Sequence, residues 1–369
     1  MNIKMLTFHT AKNYGAVLQA YALRRILQTY SPRVDIINYR PLTIRKRHMT
    51  EKNKYSVHLL VKAFFNKMCH WIRAYIFGRA LKDQKFLSFE KDYLGVTDDF
   101  IFTDRLSVSA GDADYVVLGS DQIWNCRLTH YDPVYLGNIK TKHSCRLIAY
   151  AASIGNDTSS HNELEFISNY IKHISYVSVR EETAQRVLSQ YRNDISVVLD
   201  PVFLLPQETW RSIASYYNEK DYVLLYNMGS ASTANLIAHR IANMMHIDIV
   251  EIFPGGRSLK KFYRHKIYPL AGPLDFIGLI ANARYVVTSS FHGTAFAILF
   301  NKQFLTIAPG DVSSRVRDLL TRLDIADRVV TSVDDLPATD IDYSLVNARL
   351  DDERKKSIDF LEKALGVRG

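Results

Sequence analysis

Val286-Val287-Thr288-Ser289-Ser290-Phe291-His292-Gly293-Thr294-Ala295-Phe296-Ala297-Ile298-Leu299-Phe300 is the stretch on which the reading of this chain turns. A short apolar run of strand type is halted by polar residues and passes through a histidine-glycine pair into a helix. Such a βα turn places His292 beside free backbone N–H groups at a helix N-terminus. The position lies outside the carboxyl end of a parallel strand, where open α/β sheets take their ligands. Anion chemistry follows from that geometry.

Moving outward, the same alternation of strand and helix recurs along the chain. Ile3 to Phe8 is an apolar run followed by the polar loop His9 to Gly15. Ala16, Ala20, Leu23, Leu27 and Tyr30 then fall on one face of a 3.6-residue repeat, and Val34 to Tyr39 supplies the next strand. A right-handed crossover sets Asn13-Tyr14-Gly15 at the strand carboxyl end. Tyr115 to Leu118 ends in Gly119-Ser120-Asp121-Gln122-Ile123-Trp124-Asn125, and Leu147 to Ala152 ends in Ser153-Ile154-Gly155. Tyr176 to Val179 ends in Arg180-Glu181-Glu182 before a helix from Thr183 to Tyr191, and Ile195 to Leu199 ends in Asp200-Pro201. Polar groups arrive where strands stop.

Two prolines in Asp200 to Pro206 mark a boundary, and Asp200-Pro201 reads as structural. The alternation restarts with a strand at Tyr222 to Tyr226, a helix at Ala231 to Met245, a strand at Asp248 to Ile252 and the loop Phe253 to Arg257. A helix at Leu274 to Ala283, the His292 unit, a strand at Phe304 to Ile307 and a helix at Ser314 to Leu323 complete it. The expected organisation is a first Rossmann-like α/β domain over 1–204 and a second over 205–345. A final helix over 346–369, its core at Leu350 to Leu365, packs back on the first domain. Two such domains facing across a cleft bring the carboxyl-end loops of both sheets into one site, with the acceptor side in the first and the donor side in the second.

The chain has 369 residues, 47% apolar and 23% charged, enough for two cores of roughly 150 to 200 residues each. The start Met-Asn-Ile-Lys-Met-Leu-Thr-Phe reads as a first strand instead of a secretory leader. No apolar run reaches the roughly 18 residues of a spanning helix. Cys69, Cys126 and Cys145 have no metal-ligand spacing, so free thiols, a cytoplasmic setting and no metal site are expected. The net charge of +9 favours an anionic partner. Nucleic acid is set aside because neither a reading helix nor an RNP-type strand is recognisable.

Much of the positive charge lies between Arg40 and Lys91, interleaved with Phe64, Phe65, Trp71, Tyr75, Ile76 and Phe77. On a helix this basic aromatic insertion, near 40–92, can rest at an anionic membrane surface. The alternative is that its aromatic face packs on the domain.

Asn13-Tyr14-Gly15-Ala16 with Gln19 to Leu23, the Gly119 to Asn125 block, Ser178-Val179-Arg180-Glu181 and Ser290-Phe291-His292-Gly293 together resemble the polysaccharide pyruvyl transferase family. The matches run in order over nearly the whole chain. The resemblance implies a GT-B-like fold and transfer of the enolpyruvyl group of phosphoenolpyruvate onto two sugar hydroxyls, without a cofactor. A sugar acceptor carried on a polyprenyl diphosphate would account for the basic aromatic segment. The expected setting is then the inner face of the cell membrane, in surface or capsular polysaccharide synthesis. A GT-B glycosyltransferase with a nucleotide-sugar donor is the alternative.

Residue chemistry suits a small anion with a phosphate and a carboxylate. Arg180 can bind either group bidentately. His292 can bond phosphate and deliver a proton to the methylene carbon or to the departing phosphate, and Asp121 is the candidate base or acceptor-orienting group. Arg180, His292 and Asp121 form the catalytic set. Asn13, Tyr14, Gly15, Ser120, Gln122, Trp124, Asn125, Glu181, Ser290, Phe291, Gly293, Thr294, Arg315 and Arg317 form the substrate-binding set. Duller readings stand beside these: His292 as a helix-capping or core histidine, Asn13 as a helix cap, Asp121 holding its own turn, Arg180-Glu181 as a surface ion pair, Arg315 and Arg317 as solvated. Some members carry an arginine where this chain has Ser290. Here Arg315, Arg317, Lys12 or Arg257 supplies that cation, or the donor differs.

Overall fold

The computed structural model describes residues 1–41, 79–97, 108–155, 159–228, 232–253, 264–307 and 314–367. Most of the basic aromatic insertion, including Trp71 and its neighbours, lies outside the described residues, as do Cys69 and Arg257.

The first half contains β1 (Asn2–Leu6), α1 (Tyr14–Leu27), β2 (Arg33–Ile36), α2 (Arg79–Phe89), β3 (Tyr115–Leu118), β4 (Arg146–Ala152), α3 (His161–Ile171), β5 (Tyr176–Val179), α4 (Glu182–Leu188) and β6 (Ile195–Val197). The second contains α5 (Gln207–Ile213), β7 (Tyr222–Tyr226), α6 (Ser232–Met245), β8 (Asp248–Ile252), β9 (His265–Tyr268), α7 (Pro273–Asn282), β10 (Tyr285–Thr288), α8 (Phe291–Leu299), β11 (Gln303–Ile307), α9 (Ser314–Arg322) and β12 (Val329–Val330), followed by α10 (Tyr343–Leu365).

The strands form two six-stranded sheets, ordered β2-β1-β3-β4-β5-β6 and β12-β11-β10-β7-β8-β9. Every pairing within them is parallel. Parallel sheets covered on both faces need apolar residues on both faces. Val116 to Leu118 and Tyr222 to Tyr226 are accordingly buried at every position. Strand order reverses between β1 and β3 in one sheet and between β7 and β10 in the other. These switch points open crevices outside the strand carboxyl ends. The loops after β1 and β3, and the turn from β10 into α8, carry Asn13, Ser120 to Asn125 and Ser290 to Thr294, while Arg180 and Glu181 follow β5 and Arg315 and Arg317 lie on α9.

One apolar cluster runs through both halves, from Ile3 and Leu23 to Phe276 and Phe296. At its centre the ring of Tyr14, on α1, stacks on Phe276 of α7 at 4.7 Å between centroids, with Phe86 of α2 alongside. The Tyr14 hydroxyl donates to the Ala271 carbonyl at 2.8 Å. Lys85 of α2 pairs with Asp275 at 2.5 Å, and the Thr183 N–H donates to Asp318 at 3.1 Å. Helix α10 returns across the first half: the Tyr115 hydroxyl donates to the Leu365 carbonyl, and the Leu199 N–H donates to Ser357 Oγ.

Several local expectations need correction. The run from Asp200 to Pro206, read as a boundary that interrupts regular structure, is itself ordered. It forms a buried 3-10 turn over Pro201–Leu204, with Pro at its first position and the Asp200 carboxylate accepting from the Val202 N–H, the usual terms for starting a turn. Strand β2 stops at Ile36, short of Tyr39, and α1 ends before Tyr30. Helix α10 begins at Tyr343 instead of Leu350, because Asp342 caps Ser344 there. Strands β9 and β12 went unread, one short and half-exposed, the other two residues long.

Candidate functional site

Arg180 follows the last residue of β5, Asp200 lies just beyond β6, and His292 stands in the first turn of α8. All three are buried. Arg180 Nη1 donates to Asp200 Oδ2 at 2.5 Å, while His292 Nε2 lies 3.5 Å from that same oxygen. A guanidinium from one half and an imidazole from the other thus converge on one carboxylate. The other Asp200 oxygen is occupied by the Val202 N–H. Arg180 also lies over the Phe291 ring, its central carbon 4.5 Å from the centroid. Asp121 Oδ1 is 3.8 Å from Nη2 and Glu181 Oε2 is 3.9 Å from Nε. Three carboxylates therefore surround one guanidinium.

Burial favours the neutral form of every acid here, yet the outcomes diverge. For Asp200, burial is outweighed by His292 and Arg180, which hold the carboxyl well below the ordinary aspartate range. For Glu181, burial wins over Arg180 and Arg315 and raises the carboxyl above its ordinary value. Arg180 is held more firmly protonated despite its burial, by Asp200, Asp121 and Glu181. Burial lowers Arg315, with the charge of Arg180 adding to the effect.

Buried polar atoms are normally paired. At this site Arg180 Nε and Nη2, Glu181 Oε2, His292 Nε2 and Arg315 Nε are buried without a hydrogen-bond partner. Four residues from both halves thus leave unsatisfied polar atoms at one place. Glu181 Oε1, by contrast, accepts from Ser153 Oγ at 2.8 Å and from the Ile154 N–H at 3.1 Å.

The remaining candidates divide. Gly15 packs directly against the His292 ring. Ser290 caps α8, its hydroxyl accepting from the Gly293 N–H, and Thr294 donates to the Ser290 carbonyl. Gly293 packs on Thr288, too close for a side chain. Ser120 is buried, its N–H donating to Gln19 Oε1 and its hydroxyl to the Ala151 carbonyl. Gln122 accepts from the Asn125 amide, and Asn125 caps the short helix Cys126–Thr129.

Three residues expected to bind substrate are committed to other contacts, and a fourth is exposed. Asn13 caps α1 by accepting from the Ala16 N–H. Tyr14 is locked in the aromatic interface between the halves. Trp124 is buried, with its indole N–H on the Tyr135 carbonyl. Arg317 is exposed on α9, one turn-face away from Arg315. Among the candidate replacement cations, Lys12 pairs with Asp83 on the surface, whereas Arg315 stands in the field of Arg180, Glu181, Asp121 and Asp200. The sequence reading missed Asp200. Its signal was the one used for the others, a charged residue directly after a strand.

Among the described residues, no helix is long and apolar enough to cross a membrane. Nor do three or more His, Cys, Asp or Glu side chains among them form a group able to hold a metal ion.

Two parallel six-stranded sheets, each with a reversal of strand order, form a GT-B-like fold. The fold resembles the Methanocaldococcus jannaschii UDP-GlcNAc 2-epimerase solved with UDP-GlcNAc and UDP, at 13% identity over 100% of each chain with a TM-score of 0.51. It also resembles S. aureus MnaA solved with UDP, at 11% identity over 100% of this chain and 98% of that one, TM-score 0.54. Among curated proteins, none matches the chain in sequence. The model of the polysaccharide pyruvyl transferase family matches residues 13–311, and the chain belongs to that family.

Proposed function

We propose that the protein moves the enolpyruvyl group of phosphoenolpyruvate onto two hydroxyls of a sugar, forming a ketal and releasing phosphate. The observation that carries this is the group of unpartnered buried donors, Arg180 Nε and Nη2, Arg315 Nε and His292 Nε2, contributed by both halves. A compact anion with a carboxylate and a phosphate would satisfy them, the bidentate guanidinium edge of Arg180 on one group and Arg315 on the other. The first N–H groups of α8 add further donors. Because Nη1 is already taken by Asp200, the donor meets an arginine fixed in orientation, which lowers the entropic cost of binding.

His292 delivers a proton to the departing phosphate, and Asp121, the most solvent-accessible acid of the cluster, takes one from the attacking hydroxyl. The acceptor is a glycan, on this reading carried on a polyprenyl diphosphate at the cytoplasmic face of the membrane, for surface or capsular polysaccharide. No cofactor or metal enters the scheme.

The test is incubation with phosphoenolpyruvate and candidate glycans, following phosphate release and the gain of one pyruvate ketal by mass spectrometry. Consumption of a nucleotide sugar with phosphoenolpyruvate inert would overturn this reading in favour of a glycosyltransferase. Liposome flotation with anionic lipid tests the membrane setting; protein that stays unbound rejects it.

A further inference from the structure

We propose that Glu181 works as a neutral carboxylic acid and is the group that protonates the methylene carbon of the donor. The inference rests on the phosphoenolpyruvate reading above and assigns the proton source that reading leaves open.

Ketal formation places two protons, one on the methylene carbon and one on the departing phosphate. Two acids are required. Asp200 is unsuited, with one oxygen held by Arg180 and facing His292 and the other accepting from Val202. His292 packs its Nδ1 edge beside Gly15, and its Nε2 is turned toward Asp200. An imidazolium has one proton to give, and the departing phosphate takes it. Asp121 is the base.

Glu181 differs in how its two oxygens are used. Oε1 receives both the Ser153 hydroxyl and the Ile154 N–H, the arrangement of a carbonyl oxygen. Oε2 receives no donor and is buried. An ionised carboxylate would leave a buried anionic oxygen with no hydrogen-bond donor, its nearest cation atom Arg180 Nε standing off at 3.9 Å, which is costly. A proton on Oε2 turns that acceptor into a donor. The charged groups acting on it are Arg180 beside it and Arg315 from α9; Asp121 after β3 and Asp200 after β6 stand on the other atoms of the Arg180 guanidinium, and His292 from α8 faces Asp200. The unpartnered Nε atoms of both arginines take the charge of the anion, and the neutral acid serves its carbon. Burial raises the Glu181 carboxyl even against those two cations.

The step balances. The Oε2–H bond breaks and its proton bonds to the methylene carbon through the π pair, leaving the adjacent carbon electrophilic. One acceptor hydroxyl adds there and passes its proton to Asp121. The phosphate ester C–O bond breaks as His292 protonates the leaving group. The second hydroxyl closes the ring, and its proton and that of Asp121 restore Glu181 and His292.

Glu181→Gln keeps the shape and the Oε1 contacts but has no acidic proton. The expected result is a kcat lowered about 10²- to 10⁴-fold, with phosphoenolpyruvate binding, followed by calorimetry on both proteins, almost unchanged. In the wild type, kcat should fall on the alkaline side as Glu181 deprotonates. That limb should move little with temperature, as carboxyl ionisation does and imidazole ionisation does not. A Glu181→Gln kcat within about threefold of wild type overturns the assignment. So does a wild-type kcat that holds steady or rises through the alkaline side, a readout that needs no variant. Wild-type protein that binds no phosphoenolpyruvate fails the donor reading itself, and with it this inference.

Discussion

The ring of His292 rests directly on the backbone of Gly15, with no room between them for a β-carbon. Gly15 lies in the first turn of α1, and alanine is favoured there over glycine by about 1 kcal/mol on helix propensity alone. Gly15→Ala therefore separates local preference from the contact between the halves. A methyl group displaces His292, and a misplacement of about 1 Å at a reacting group can cost about 10²-fold in rate. The expected outcome is a kcat loss of that order with α-helix content retained by circular dichroism. Wild-type turnover would show that the contact does not set the position of His292.

Asp200 is the carboxylate between a guanidinium and an imidazole, and Asp200→Asn leaves Arg180 buried against an uncharged partner. Removing one member of a buried pair costs about 3–5 kcal/mol, and urea unfolding near neutral pH should show a loss of that size. The pH dependence has a definite sign. A carboxyl held below its unfolded value adds stability that is complete above about pH 4 and declines as pH falls toward the depressed folded value. Wild-type stability should therefore drop more steeply than that of Asp200→Asn below about pH 4. Parallel profiles would assign the acid sensitivity to another group.

Arg315 and Arg317 lie two residues apart on α9 and differ in setting. Arg315 Nε is buried and unpartnered beside Arg180 and Glu181, whereas Arg317 is exposed. Hydrogen bonds to charged groups contribute about 1.5–3 kcal/mol. Arg315→Ala should accordingly raise the phosphoenolpyruvate KM roughly 10- to 100-fold, while Arg317→Ala changes it less than about twofold. Steady-state kinetics on both variants decides the matter; the opposite ranking would move the donor cation to the outer face of α9.

The architecture was legible because parallel strands buried on both faces must be apolar throughout, and each stops at a polar residue. Val286 to Thr288, Tyr222 to Tyr226 and Tyr115 to Leu118 all announce themselves in this way. The same cue singled out Arg180, Asp121 and His292, which lie close together around the Arg180 guanidinium and Asp200. It pointed equally to Asp200, but the proline after it gave that residue a structural reading, and nothing local reveals that the carboxylate meets a histidine 92 residues onward. Tyr14 and Trp124, held in other contacts, were illegible for a related reason. An aromatic residue beside a polar loop is written identically whether its ring faces a ligand or, as for Tyr14, another helix. The choice of Arg315 over Lys12 needed the distant partner Asp83, which occupies Lys12.

Tyr14→Phe tests the architectural assignment of that residue against a ligand role. The substitution leaves the ring stacked on Phe276 and removes only the hydroxyl that donates to the Ala271 carbonyl. Burial raises the Tyr14 hydroxyl far above its ordinary value, so it is a neutral donor at any working pH. Losing one buried neutral hydrogen bond costs about 0.5–1.5 kcal/mol. A lowered melting midpoint with an unchanged phosphoenolpyruvate KM is therefore expected. An unchanged midpoint with a raised KM would mean that the hydroxyl leaves Ala271 to bind substrate, and that the two halves part there during the catalytic cycle.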